Sequence, residues 1–462
     1  MKKLALAAAL VATPAAVSAQ SAQEQHDARY DRALAAGYKA LFLCSAIGNA
    51  ERNGAMRTPE SVHQWELTGI QAPLNDIVQD LPYDIVRRPS GQIAHVAVNW
   101  ADDMPARVAV YFAESGCSVL PIGAPENWGE PERPIPMPPR PDIAPNDAAA
   151  ADAALNSVFA DALAEKYGEG TRTTAVLVRQ VEDGEVVSQT ESYKAGFDAN
   201  TPQRTWSVAK SIAATFVGAA VHSGEYDVND PINLNYWRQG GQADPRNAIT
   251  IDHALRMASG RYTDTPGNRT DPLYWGGATV DEQAANWPLV HKPGTVFRYA
   301  NNDTLMAIQA VDNYMLYYPT SELFAKLGMH NTVAETDIRG DYVLSSQVWS
   351  TAPDLAALGH LYLNNGMWNG EQLLPENWTE YVSSPSGPQP EGRPFGYGAG
   401  FWLMNQSEGV PTDTFAALGN RGQHIVIVPS RNIVIVRRGE DPVGKRFDIA
   451  AFARDVLAAL DD

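Results

Sequence analysis

Between Val208 and Val221 the chain reads VAKSIAATFVGAAV, apolar on almost every side and interrupted by one formal charge, Lys210. A helix that is apolar all round is one that the remaining chain must bury, so a core has to be wrapped around this run. Ser207 stands three residues before Lys210, which places both side chains on one helical face. A lone ammonium in such surroundings is costly and is expected to find partners or give up its proton. A neutral amine beside a hydroxyl is a general base beside a nucleophile. At the helix start, the Ser207 N–H also lies at the positive end of the dipole, where an oxyanion is stabilised. Ser-x-x-Lys is by itself a loose pattern, and the competing reading is a lysine reaching out from a helix end. The single occurrence of the motif, inside a buried run, brings the chemical reading level with that alternative and leaves both open.

The first residues, MKKLALAAALVATPAAVSA, combine two lysines, an apolar run and a small-residue end with Val17 and Ala19. Residues 1–19 therefore read as a secretory signal, too short to span a membrane. A periplasmic or secreted location is the expectation, without membrane insertion. With 54 acidic and 35 basic residues the formal charge is −19, which argues against nucleic acid or anionic membrane as a partner. The only two cysteines, Cys44 and Cys117, suggest a disulfide in an exported chain. No Cys or His spacing suggests a metal, and no cofactor is expected.

Residues 26–48 read as a helix, and 92–100 with 106–112 as a hairpin, giving a small α+β unit over 20–120 with no functional motif. A proline-rich segment over 121–146, including PERPIPMPPRPDIAP, reads as a semi-rigid linker. From 147 to 462 the order is a helix over 147–167, strands over 173–181 and 185–192 around Asp183-Gly184, the Ser207 helix, and a Gly- and Pro-rich helical middle. Strands over 424–428 and 433–437 and a helix over 446–460 close the chain. Strands at both ends of this unit suggest an α/β (α+β) fold, an antiparallel sheet flanked by helices with an inserted helical lobe. The stretch from Gly439 to Lys445 has P-loop spacing, but Arg446 replaces the magnesium-binding hydroxyl and Glu440 and Asp441 repel phosphate. It reads as a turn.

A nucleophile and base need a third group to pass the proton to the leaving group. Tyr299-Ala300-Asn301 follows the turn Pro293-Gly294-Thr295, and a tyrosine near cations is expected to titrate below its usual value. Tyr362-Leu363-Asn364 has the same spacing but lies in an amphipathic helix. Ser207-Val208-Ala209-Lys210 followed by Tyr299-Ala300-Asn301 resembles the serine β-lactamase and penicillin-binding superfamily. Further stretches agree in order: Asp230-Pro231, Ser259-Gly260, Leu327-Gly328-Met329, and Ser350-Thr351-Ala352 with Asp354-Leu355. The Trp206-Ser207 start and Gly419-Asn420-Arg421-Gly422-Gln423 are most similar to the branch that hydrolyses nylon oligomers (aminohexanoate dimers) and esters.

The resemblance implies a serine hydrolase in which Ser207 is acylated, Lys210 is its base partner and Tyr299 relays the proton. Asn301 would contact substrate and Lys210, and the strand entered at Gly419 would supply a second oxyanion donor, the Asn420 N–H. The substrate would be a small ester or amide. Ahead of His424, TDTFAAL stands where β-lactamases carry Lys-Thr-Gly, so the cation that holds a β-lactam carboxylate is missing. Arg421 and His424 are the candidate substitutes, with packing as the alternative for His424, which begins a strand. No Gly-x-Ser-x-Gly is present to support an α/β-hydrolase. The rival class is a non-catalytic binding protein on the same scaffold, with 20–120 as its interaction module.

Overall fold

The structure, a computed structural model, describes residues 14–125, 153–238, 244–263 and 270–461, with side chains from residue 21 onward. Most of the segments read as signal (1–19) and proline-rich linker (121–146) lies outside them. The N-terminal helix α1, Pro14–Arg52, is longer than the sequence pattern suggests. Its stretch Ser21–Arg52 is long and apolar enough to cross a membrane, yet that apolar part is buried in the fold. After a short helix α2, Pro59–Trp65, come strands β1 Tyr83–Arg87, β2 Ile93–Val98, β3 Arg107–Phe112 and β4 Gly116–Val119. They form an antiparallel meander in that order. The expected hairpin is the β2–β3 pair; β1 and β4 flank it. Helix α1 packs along β2, β3 and β4, and Cys44 on α1 is bonded to Cys117 on β4 with 6.2 Å between Cα atoms.

The second unit opens with α3, Ala153–Leu163, then β5 Thr173–Glu182 and β6 Glu185–Tyr193. Asp183 and Gly184 take φ of 49° and 83°, the left-handed pair that a two-residue hairpin turn requires. Next come the two-residue strand β7, Gln203–Arg204, and helix α4, Val208–His222. The middle contributes α5 Asn301–Ala310, β8 Val333–Ala334, β9 Val348–Ser350 and α6 Ala352–Leu363. The chain closes with β10 Gly396–Tyr397, β11 Trp402–Leu403, β12 Phe415–Gly419, β13 Gln423–Val428, β14 Ile433–Gly439 and α7 Ile449–Ala459.

Seven strands make one antiparallel sheet in the order β10-β11-β12-β13-β14-β5-β6. Strand β14 lies between β13 and β5, with Ile435 opposite Val178. Its VIV core is buried on both faces, as a central strand covered by helices must be. On one face Val176, Val178, Val426 and Ile435 pack with Leu155 and Phe159 of α3 and Phe452 and Val456 of α7. On the other, Leu177, Ile425 and Val436 join α4, α6 and the side chains of α1 in a single core. Helix α4 buries Val208 through Ala220 without exception, so the apolar run is enclosed as its composition demands.

The buried face of α1 is set against the second unit at one close approach. A Cβ at Gly37 would fall 2.0 Å from the Trp275 carbonyl oxygen, so only glycine lets the helix come this near. Tyr38 and Phe42, stacked at 4.2 Å, lie against Trp275, and Phe42 also reaches Trp206 and Trp349 at 5.9 Å each.

Candidate active site

Ser207 caps the start of α4 and is partly exposed, whereas Lys210, one turn on, is buried. Burial does not leave Lys210 alone. Its Nζ lies 3.2 Å from Ser207 Oγ, 2.6 Å from Asn301 Oδ1 and 2.7 Å from the Ser345 carbonyl oxygen. Asn301, the first residue of α5, donates through Nδ2 to Thr270 Oγ1 at 3.0 Å, which fixes its Oδ1 as the acceptor turned to the lysine. A neutral amine keeps two N–H donors. In that form Asn301 and Ser345 would take both and the lone pair would be free for Ser207 Oγ, whereas the ammonium form donates to all three.

Tyr299 completes the group. Lys210 Nζ lies 5.1 Å from the centre of its ring, and its hydroxyl interacts with the Ser207 side chain. The expected lowering of the phenol pKa is not found. Burial pushes Tyr299 up to about 12, against smaller opposing contributions from the Ser207 hydrogen bond and the Arg393 charge. Tyr299 is therefore a neutral phenol, not a resident phenolate, at neutral pH. Tyr362, the alternative with the same spacing, is fully buried in α6 with its hydroxyl 2.8 Å from Thr215 Oγ1. It belongs to the core.

Beside Ser207 two segments make a close approach. A Cβ at Gly419 would stand 2.3 Å from the Thr205 carbonyl oxygen and 3.2 Å from the Ser207 amide nitrogen. Only glycine allows the end of β12 to come so close to the nucleophile, and Asn420 follows directly, its Oδ1 accepting from the Arg421 N–H at 2.9 Å. The Gly419–Asn420 turn is thus brought beside the backbone nitrogen of Ser207.

Arg421 turns away. Its backbone is left-handed, with φ of 56°, and its guanidinium is buried against Glu440, Nε to Oε2 at 2.6 Å. The remaining N–H groups donate to the carbonyls of Trp65, Thr68 and Gly69. It fastens the loop after α2 and does not reach the pocket, so it is not the substitute cation. His424 is no better placed: it is buried beside Phe447, and burial with the Arg437 charge pushes it down to about 3. Among the described residues, Arg393 is a further cation near the site, one that sequence reasoning missed. Its guanidinium is 5.9 Å from the Trp402 ring, and Trp402 is 5.4 Å from Tyr299. Among the described residues no carboxylate pairs with it. Tyr397, T-shaped to both Tyr299 and Trp402, completes an aromatic wall. The Ser345 carbonyl was also missed, because a backbone acceptor leaves no mark in side-chain types.

Among the described residues no group of His, Cys, Asp or Glu is arranged to hold a metal ion. The Gly439–Lys445 stretch is a turn: Asp441 pairs with Arg437 at 2.8 Å and Glu440 with Arg421, so both carboxylates are engaged inside the protein.

The family described as Beta-lactamase matches residues 160–458. The chain is 25% identical over 313 residues to a 6-aminohexanoate-dimer hydrolase of Paenarthrobacter ureafaciens, covering 60% of this chain and 75% of that protein. A putative 6-aminohexanoate-dimer hydrolase from Bacillus anthracis superposes with a TM-score of 0.51 at 22% identity, over 63% of this chain and 79% of the other. A putative beta-lactamase from Bacteroides dorei gives 0.52 at 17% identity, over 68% and 99%. At these identities the superpositions speak for the fold alone.

Proposed function

Because the chain belongs to the beta-lactamase family of serine hydrolases, we propose that it cleaves small esters and amides through an acyl-enzyme on Ser207. The observation that carries this reading is the placing of Lys210 Nζ against Ser207 Oγ, with Asn301 and Ser345 taking its other hydrogens. Ser207 Oγ attacks the carbonyl carbon and its proton passes to the Lys210 amine. The carbonyl oxygen becomes an oxyanion between the N–H groups of Ser207 and Asn420. Tyr299 gives its proton to the departing alkoxide or amine and is re-protonated from Lys210, so the carbon–heteroatom bond breaks without expelling a strong base. Water then repeats the sequence on the acyl-enzyme, releasing the acid and restoring Ser207.

Substrate choice follows from the cations. Arg421 and His424 are committed to the interior, and among the described residues Arg393, beside the Trp402 and Tyr299 wall, is a charge available to a substrate anion. Short neutral esters need only the nucleophile, the relay and two backbone donors. They should be turned over faster than amides, and β-lactams slowest. A relative named as a 6-aminohexanoate-dimer hydrolase supports including amides. The leader-like N-terminus and the disulfide support an exported protein.

A fluorophosphonate probe tests the chemistry. The wild-type chain should be labelled and Ser207→Ala should not. Absence of wild-type labelling would favour a non-catalytic binding role. Nitrocefin against p-nitrophenyl butyrate, compared by kcat/KM, tests the substrate order.

A further inference from the structure

The family match begins at residue 160, so the helix and meander over 21–125 lie outside it and have no part in the chemistry above. They nevertheless form the wall behind the nucleophile. Arg204, three residues before Ser207, is only 1% exposed and makes no salt bridge among the described residues. Its charge is met instead by ring faces, at 4.4 Å from Trp206, 5.1 Å from Trp275, 5.4 Å from Tyr274 and 5.2 Å from Phe42 of α1. Cation–π contacts strengthen when desolvated, so this box holds the guanidinium in one place. Its Nη2 donates to Ser346 Oγ at 3.0 Å and its Nε points to the Ser346 carbonyl at 3.4 Å. The neighbouring Ser345 carbonyl is the acceptor of Lys210. Trp206, one wall of the box, has φ of 51°, a conformation that costs a bulky residue free energy and persists only when its surroundings impose it.

The same box is tied to the disulfide. The Cys117 N–H and Asn49 Nδ2 both donate to buried Glu335 Oε1, at 3.0 and 3.3 Å. Glu335 N–H donates to the Gln347 carbonyl, beside β9, whose Trp349 pairs with Arg204 in the β7–β9 ladder. The route from the Cys44–Cys117 bond to the strand entering Ser207 is therefore continuous.

We propose that Arg204 is a positioning residue for Ser207 and Lys210, and that α1, locked by the Cys44–Cys117 bond, is the brace that keeps it in place. The N-terminal region is an internal part of the active-site support and not a docking module for another molecule. This rests on Ser207 being the nucleophile. Small displacements of a nucleophile are costly, because attack needs reacting atoms held in near-contact geometry.

The test uses the full chain and four variants: Phe42→Ala, Phe42→Leu, Arg204→Lys and, as a control in the core on the other face of the sheet, Leu155→Ala. Tm, the rate of fluorophosphonate labelling, and kcat and KM for p-nitrophenyl butyrate are measured well below every Tm. Phe42→Ala and Arg204→Lys should slow labelling and kcat at least tenfold, about 1.4 kcal/mol of barrier, with KM within threefold. Phe42→Leu, which refills much of the space, should recover most of the rate. Leu155→Ala should lower Tm comparably yet stay within twofold of wild-type kcat. Should Phe42→Ala not fold, Arg204→Lys decides alone, with a loss of at least tenfold in labelling and kcat expected. Wild-type rates in the Phe42 and Arg204 variants, or an equal loss in Leu155→Ala, overturn the brace while leaving the acyl-enzyme reading intact. Failure of the wild-type chain to label overturns both.

Discussion

Replacing Arg421 by Met tests whether this residue is an internal fastener or a substrate contact. The guanidinium and its partner Glu440 are both buried, at 2.6 Å, and three carbonyls of the 65–69 loop depend on the same side chain. Among the described residues, removing it leaves the Glu440 carboxylate with the Gln203 amide at 3.2 Å as its remaining side-chain hydrogen-bond donor. Breaking a buried pair from one side costs about 3–5 kcal/mol, because the surviving charge is stranded. At roughly 2–4 °C per kcal/mol for a large domain, Tm should fall by about 10 °C. Urea unfolding followed by tryptophan fluorescence gives the free energy directly. Adding Glu440→Gln should return part of the loss, since the stranded charge is then gone, and the double variant should cost less than the two single losses together. The ratio of nitrocefin to p-nitrophenyl butyrate turnover should not change. A loss below about 1 kcal/mol, the worth of an exposed ion pair, would refute the buried-fastener account, and a collapse of β-lactam turnover alone would return Arg421 to the pocket.

Lys210→Ala and Tyr299→Phe should each lower kcat by at least about 100-fold, and the double variant should lose little more than either, as expected of groups acting as one unit; Tyr362→Phe, measured in the same assay, should leave kcat near wild type. The Cys44–Cys117 bond spans 73 residues, and its removal by Cys44→Ala with Cys117→Ala should cost about 4 kcal/mol by chain entropy; thiol titration of the denatured, unreduced protein should find no free thiol. Burial pushes Glu335 up to about 7, above its unfolded value, so the folded state holds a proton that the unfolded state has lost. Stability from this group is then present below about pH 4.5 and falls as pH rises toward 7, by about 3 kcal/mol at most. The stability difference between Glu335→Gln and wild type, from urea curves at pH 5 and pH 8, should therefore shift in favour of the variant at the higher pH; a flat difference would refute it.

What could be read in advance was what local pattern encodes. An Asp-Gly turn marked the β5–β6 hairpin, and an apolar run holding one lysine marked α4 and the Ser207–Lys210 pair. Two-residue strands such as β7 and β10 carry no periodicity, so the ladder that aims Ser207 was invisible. Arg421 was misassigned because nearness to Asn420 along the chain says nothing about which side of a turn a side chain leaves from; its left-handed backbone sends it inward. Arg393 and Arg204 escaped for the complementary reason, that distant segments complete their surroundings: Tyr299 for the first, Phe42, Tyr274 and Trp275 for the second. The raised pKa of Tyr299 likewise reflects burial among Tyr397 and Trp402, which no spacing in the sequence announces.

The position of β14 sets the order of events during synthesis. Strand β5 is made early, at residues 173–182, but its inner neighbour spans residues 433–439. Until the ribosome has delivered that segment, β5 has an open apolar edge toward the middle of the sheet, and α4 lacks part of the surface it packs on. Sheets closed by such distant pairings fold slowly and leave sticky intermediates exposed. The nascent chain must therefore be shielded for most of its translation, and truncation before residue 433 should yield an aggregating fragment in place of a smaller hydrolase.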